Sequence, residues 1–145
     1  MPRYGAITFG TALAGLLLTL PLAPVQAASL TLGCSGTMTT THVSKNGTES
    51  DPEKESIKDF SVVIDSDRRT VSLPTGGPFS ITASDANSVT FSGSIEPGQG
   101  FIGHIGGTVD RITGKFDATE RWRTPAGDVD IASWDLRCQP TRRLF

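Results

Sequence analysis

Between Leu30 and Cys138, apolar residues fall at every second position in short runs, and a turn signal interrupts them about every ten residues. Successive side chains of an extended strand point to opposite faces, so each run describes one apolar and one solvated face. Leu30, Leu32 and Cys34 alternate with Thr31 and Gly33, and Thr37–Thr41 can prolong that strand as an exposed tail rich in a β-favouring residue. Lys45-Asn46-Gly47 marks a tight turn, since Asn and Gly both accept positive φ. Phe60, Val62 and Ile64 run into a turn at Asp65–Arg69 and return through Val71 and Leu73. Phe79, Ile81 and Ala83 turn at Asp85-Ala86-Asn87 and come back as Val89, Phe91, Gly93 and Ile95. Phe101, Gly103, Ile105, Gly107 and Val109 share a face, turn at Arg111–Gly114, and return through Phe116, Ala118 and Trp122. After Thr124–Asp128 a last strand ends in Trp134, Leu136 and Cys138, with a parity change after Ile131 that suggests a bulge.

These segments add up to an all-β, antiparallel meander of about eight strands, closed as a barrel or folded as a β-sandwich. The first and last segments carry the same spacing: Leu30 and Leu32 before Cys34, Trp134 and Leu136 before Cys138. The first and last strands of a meander are its exposed edges, which invite aggregation unless paired. A Cys34–Cys138 disulfide would lay those edges side by side and close the barrel. Leu30, Leu32, Trp134 and Leu136 would then point inward along the seam.

An oxidised pair fits the compartment. Residues 1–27 have a positive start at Arg3, an almost uncharged Leu/Ala-rich stretch from Ala6 to Leu22, and small residues around Val25-Gln26-Ala27, the pattern of a cleaved signal peptide. The apolar part, broken by Pro21 and Pro24, is short of the roughly 20 residues of a membrane span. Residues 28–145 then form a single all-β domain, exported to the periplasm or beyond the cell, with no membrane span left after signal cleavage. Exported chains with an even cysteine count generally pair them.

Charge and motifs exclude more than they suggest. The whole chain has a formal net charge of −2, which excludes a basic field for nucleic acid. The locally acidic run from Glu49 to Asp59 reads as a solvated loop. His42 and His104 are isolated and read as exposed. Asp65 and Asp67 precede Arg68 and Arg69, which stand where a calcium loop would supply oxygen ligands and a glycine. Asp117 and Glu120 have opposite parities on one strand and do not converge as a catalytic pair. Gly98-Gln99-Gly100-Phe101-Ile102-Gly103 matches the dinucleotide fingerprint, but it leads into an alternating run where the fingerprint requires a helix. Asn46-Gly47-Thr48 matches a glycosylation sequon that the turn already explains. The sequence thus assigns no catalytic, cofactor-binding or metal-binding residue, only the structural pair Cys34 and Cys138.

Three stretches, LTLGCSGTMTTT, GGTVDRITGKFDAT and WDLRCQPTRRLF, resemble a group of small exported proteins, without an assigned activity, from rhizobia-like alphaproteobacteria. The resemblance implies a bacterial protein of the cell envelope or medium. The expected function is non-catalytic binding of a small apolar ligand or an envelope protein. The alternative is a periplasmic protease inhibitor, because some bacterial inhibitors of secreted metalloproteases resemble this profile of leader, small barrel and single disulfide. Such an inhibitor needs a free N-terminal arm, whereas Ser29–Cys34 reads as strand. In the tail, Arg142 and Arg143 read as a solvated terminus.

Overall fold

A computed structural model describes residues 29–98 and 100–141. The leader and the Arg142–Arg143 tail lie outside the described residues. Eight strands follow one another: β1 (Leu30–Val43), β2 (Glu53–Asp65), β3 (Thr70–Leu73), β4 (Gly76–Ser84), β5 (Ser88–Gly98), β6 (Phe101–Asp110), β7 (Lys115–Arg123) and β8 (Val129–Pro140). Each pairs antiparallel with the next, and β8 returns to β1, so the sheet is a closed barrel and the sandwich is excluded. The closing seam runs from Leu32 opposite Pro140 to Val43 opposite Val129, and it places Cys34 directly across from Cys138, to which it is disulfide-bonded.

Alternation dictates the interior. Val62, Val71, Val89, Phe91, Val109, Phe116 and Leu136 are fully buried, with Leu32, Phe60, Phe79, Ile105 and Trp134 beside them. Five aromatic rings form a continuous relay through the barrel: Trp134 to Phe60 at 6.3 Å, Phe60 to Phe116 at 5.9 Å, Phe116 to Phe91 at 6.0 Å and Phe91 to Phe79 at 6.2 Å between centroids. These separations lie in the favourable range for aromatic pairs. The small inward residues do not leave a hollow. A Cβ on Gly93 would stand 2.7 Å from Phe79, and one on Gly103 would stand 2.7 Å from Trp122, so rings already occupy the space above both glycines. The middle of the barrel is filled, and concavities lie at its rims and on its outer face. With apolar residues inside and hydroxyl or charged residues outside, the polarity is the reverse of a lipid-facing barrel.

Several details differ from the sequence expectation. The acidic run is not a loop from Glu53 onward: Glu53–Ile57 pairs with Gly36–Thr40. Thr37–Thr41 is therefore part of the barrel wall rather than an exposed tail, paired on both sides as far as Thr40. The long β1 needs a partner along its whole length, and charged side chains can stay solvated on a strand near the rim. The register shifts between Cys34 and Gly36, where β2 accommodates Lys58 and Asp59 as a bulge with Asp59 at φ 56°. The bulge expected after Ile131 is absent, because β8 keeps an unbroken register with both β7 and β1. Its inward residues are Ala132, Trp134 and Leu136, and Ile131 faces outward opposite Arg121. Leu30 has inward parity but lies at the barrel end and is 42% exposed. Phe101, also at a rim, is 37% exposed. Ala83 is exposed because the register shifts between it and Ile81.

Candidate functional site

The rim beside the disulfide is built from the starts and ends of strands. Leu30 and Leu32 enter on β1, Ile64 closes β2, Val109 closes β6, and Cys138 and Pro140 lie on β8. Together with the β6–β7 turn they enclose a pocket of about 380 Å³. That size falls within the range of about 300–1,000 Å³ common for small-molecule sites, which are mostly apolar.

The turn is a rigid element. The Asp110 carboxylate accepts the backbone N–H groups of Ile112 and Thr113, each at 2.8 Å, and Gly114 takes φ 70° to complete the reversal. Those N–H groups, Thr113 first, hold the Asp110 carboxyl below the ordinary aspartate range. Gly114 O accepts the N–H of Cys138 at 2.7 Å, which ties the turn to β8 beside the disulfide. Arg111 donates to Ser84 Oγ at 3.1 Å and Arg137 to Thr113 O at 3.2 Å. Ile112 is thereby held at the lip of the pocket, 74% exposed, although an aliphatic side chain gains by leaving water. Asp110 and Arg111, the charged residues in the lining, are both engaged by the turn and its neighbours, so the pocket offers apolar grip rather than acid–base chemistry.

Of the residues singled out in the sequence, Cys138 lines this pocket, with its partner Cys34 buried behind it. The two histidines are not brought together. His42, at the far rim, contacts Asp130 Oδ1 through Nδ1 at 2.6 Å, and that hydrogen bond raises the imidazole above its ordinary range. His104 faces outward, with Nδ1 at 3.0 Å from Ser94 Oγ. No carboxylate contacts the other nitrogen of His104 among the described residues, so the pair lacks the third group that orients a nucleophile's base. Asp65 caps its own turn by accepting Arg68 N–H at 2.9 Å. Among the described residues no three His, Cys, Asp or Glu side chains converge as a metal site. The glycine-rich stretch joins β5 to β6 as strand–turn–strand, with Gly98 opposite Phe101, and no helix follows for a pyrophosphate to meet.

Two residues escaped sequence reasoning. Ile112 was legible in principle as an aliphatic residue at the tip of a turn. Glu120 was legible from parity, since it alternates in step with Phe116 and Ala118 and faces inward opposite Ile105 and Ala132. It is the buried charged residue of the core, 3% exposed, and its Oε1 has no hydrogen-bond partner. Burial pushes its carboxyl above the ordinary glutamate range, opposed by the Trp122 indole. A buried polar atom without a partner costs about 1–3 kcal/mol.

Glu120→Met keeps roughly the same volume without the polar atoms, so it is expected to raise stability at pH 7 by about 1–2 kcal/mol in urea melts. An acid whose folded pKa is raised holds its proton more tightly in the folded state, so its stability contribution is full below the unfolded pKa and falls as pH rises through the folded one. The gain over the native chain should therefore shrink towards pH 4. Asp85 and Asp110, both shifted downward, act in the opposite sense but are common to both proteins and cancel in the difference. A variant less stable than the native chain at pH 7 would show that the hydrogen bond from the Trp122 indole outweighs the burial cost of the carboxyl.

On the outer face, two cross-strand rows line a shallow trough of about 770 Å³. One runs Thr90, Thr108, Asp117, Asp135, Thr37, and the next runs Ser92, Gly106, Thr119, Ser133, Thr39, Lys54. Thr90 and Thr108 share a hydrogen bond at 3.3 Å, and Lys115 Nζ reaches Asp117 at 3.0 Å, so part of this polar surface satisfies itself. Comparison with protein families, curated proteins and solved structures finds none that matches the chain.

Proposed function

We propose that this is an exported bacterial binding protein without catalytic activity, which holds a small apolar molecule in the rim pocket beside the disulfide. The observation that carries the reading is Ile112, held 74% exposed on a hydrogen-bonded turn at the lip of a pocket of about 380 Å³. Leu30, 42% exposed, faces it from the start of β1. The disulfide suits an oxidising compartment. The inhibitor alternative has less support, since β1 is paired with β2 from Leu30 and with β8 from Leu32, so that its start is built into the barrel wall.

Native mass spectrometry of the protein recovered from its own host tests the reading. A retained small molecule is expected on the native chain, removable by organic extraction, and lost in Ile112→Glu while the circular dichroism spectrum is unchanged. Equal retention by both proteins would place the ligand elsewhere. A bare native chain that also fails to take up decane or dodecanol would overturn the reading.

A further inference from the structure

The outer face at the opposite rim carries a second pocket, of about 390 Å³, lined by Ile102, His104, Arg121, Trp122, Arg123 and Val129. Its members meet by register. On the outward face His104 lies directly across from Arg121, Ile102 across from Arg123, and Arg123 across from Val129. Arg121 and Arg123 stand two positions apart on the same face of β7, and a guanidinium cannot lose its charge.

The chain has no shortage of acids, with 15 Asp and Glu against 13 Lys and Arg, yet none lines this pocket. Among the described residues, the ion pairs are His42–Asp130, Arg68–Asp65 and Lys115–Asp117, and neither Arg121 nor Arg123 takes part. Glu96, an exposed acid towards the end of the neighbouring β5, is outside the lining. Ser94 Oγ holds His104 Nδ1 at 3.0 Å, which fixes the ring without supplying a counter-charge. When the hydroxyl donates to Nδ1, Nε2–H is left as a donor.

An apolar edge adjoins these cations. Ile102 is 46% exposed, Phe101 next to it is 37% exposed, and Val129 is half-buried. Guanidinium groups suit planar, two-point recognition of phosphate and carboxylate oxygens. An exposed aliphatic side chain beside them suits the remainder of an amphipathic molecule.

We infer that this pocket binds an oxyanion carried on an apolar stem, such as an alkyl phosphate. Arg121 and Arg123 grip the anion, His104 donates to it, and Ile102 and Val129 pack against the stem. The site lies at the opposite end of the barrel from the disulfide pocket, so its failure and the failure of the rim-pocket reading are separate results.

The test is a titration of the ¹⁵N-labelled mature protein with hexyl phosphate, followed by amide shifts. Saturable shifts centred on His104, Arg121 and Arg123 are expected, with at least a tenfold weaker affinity in the Arg121→Gln/Arg123→Gln double variant. Both arginines are exposed, so the rest of the spectrum should be unchanged. Inorganic phosphate and hexanol should each bind at least tenfold more weakly than hexyl phosphate, and Ile102→Ser should reduce affinity for hexyl phosphate but not for phosphate.

Co-sedimentation with vesicles separates the sources of the anion. Pelleting with phosphatidylglycerol vesicles but not phosphatidylcholine vesicles, abolished in the double variant, identifies a lipid headgroup. Hexyl phosphate binding without pelleting identifies a soluble amphiphile. Absence of saturable shifts, shifts centred elsewhere, or equal affinity in the double variant overturns the inference, and phosphate binding as tightly as hexyl phosphate overturns the role of the stem.

Discussion

Trp134→Ala is expected to cost about 3–5 kcal/mol, the penalty for emptying a buried aromatic site. Trp134 is 4% exposed and faces Ala118 on β7 and Met38 on β1, with the Phe60 ring 6.3 Å away between centroids. Ala118 is too small to move into the vacated space, and Phe60 is held by its contact with Phe116. The cavity should therefore persist, which places the loss towards the upper end of the range. Total stability of a small domain is about 5–15 kcal/mol, so this single change removes a large part of it. Ile112→Ala, at a residue 74% exposed, should stay within about 0.5 kcal/mol and serves as the contrast. Urea melts followed by far-ultraviolet circular dichroism measure both. A Trp134→Ala midpoint equal to that of the native chain would show that the seam is not packed around this ring.

The same residue shows why the architecture could be read from sequence. Period-two alternation registers every side chain as inward or outward, so the sequence alone places Phe60, Val62, Ile64, Phe91, Phe116 and Trp134 inward. The matched spacing at Cys34 and Cys138 added the closure. Parity failed where backbone irregularity or burial at the rim decides the outcome. Leu30 has the right parity and is still exposed because the barrel ends there. The strand identity of Glu53–Ile57 was hidden because charge is a signal of solvation, not of backbone conformation. The parity break read at Ile131 came from assigning an outward isoleucine to the core.

The candidate pockets were harder to see than the fold. Each depends on residues brought together by strand pairing: the disulfide pocket joins Leu30 on β1 to Pro140 on β8, and the far-rim pocket sets His104 across from Arg121 on β6 and β7. No local motif marks such pairs. Glu120 is the exception, since parity alone puts its carboxyl on the same face as Phe116 and Ala118.

Removing the disulfide is the other change of comparable size. Each strand pair from β1·β2 to β7·β8 is joined through a single local connection, so closing it constrains a short stretch of chain. The β1–β8 seam instead closes nearly the whole chain, with the cysteines 104 residues apart. For a loop of about 100 residues the chain-entropy argument gives about 4.7 kcal/mol, and native disulfides in small secreted domains are worth about 2–5 kcal/mol. The double variant Cys34→Ala/Cys138→Ala should lose stability in that range. The loss divides between slower refolding and faster unfolding according to how far the β1–β8 seam is formed in the transition state. Stopped-flow kinetics in urea separate the two. Denatured, unreduced native protein should show no titratable thiol. Two thiols per chain, or a double variant with the native midpoint and refolding rate, would mean that β1 and β8 find each other without the bond, through the core side chains that Leu32, Trp134 and Leu136 bring to the seam.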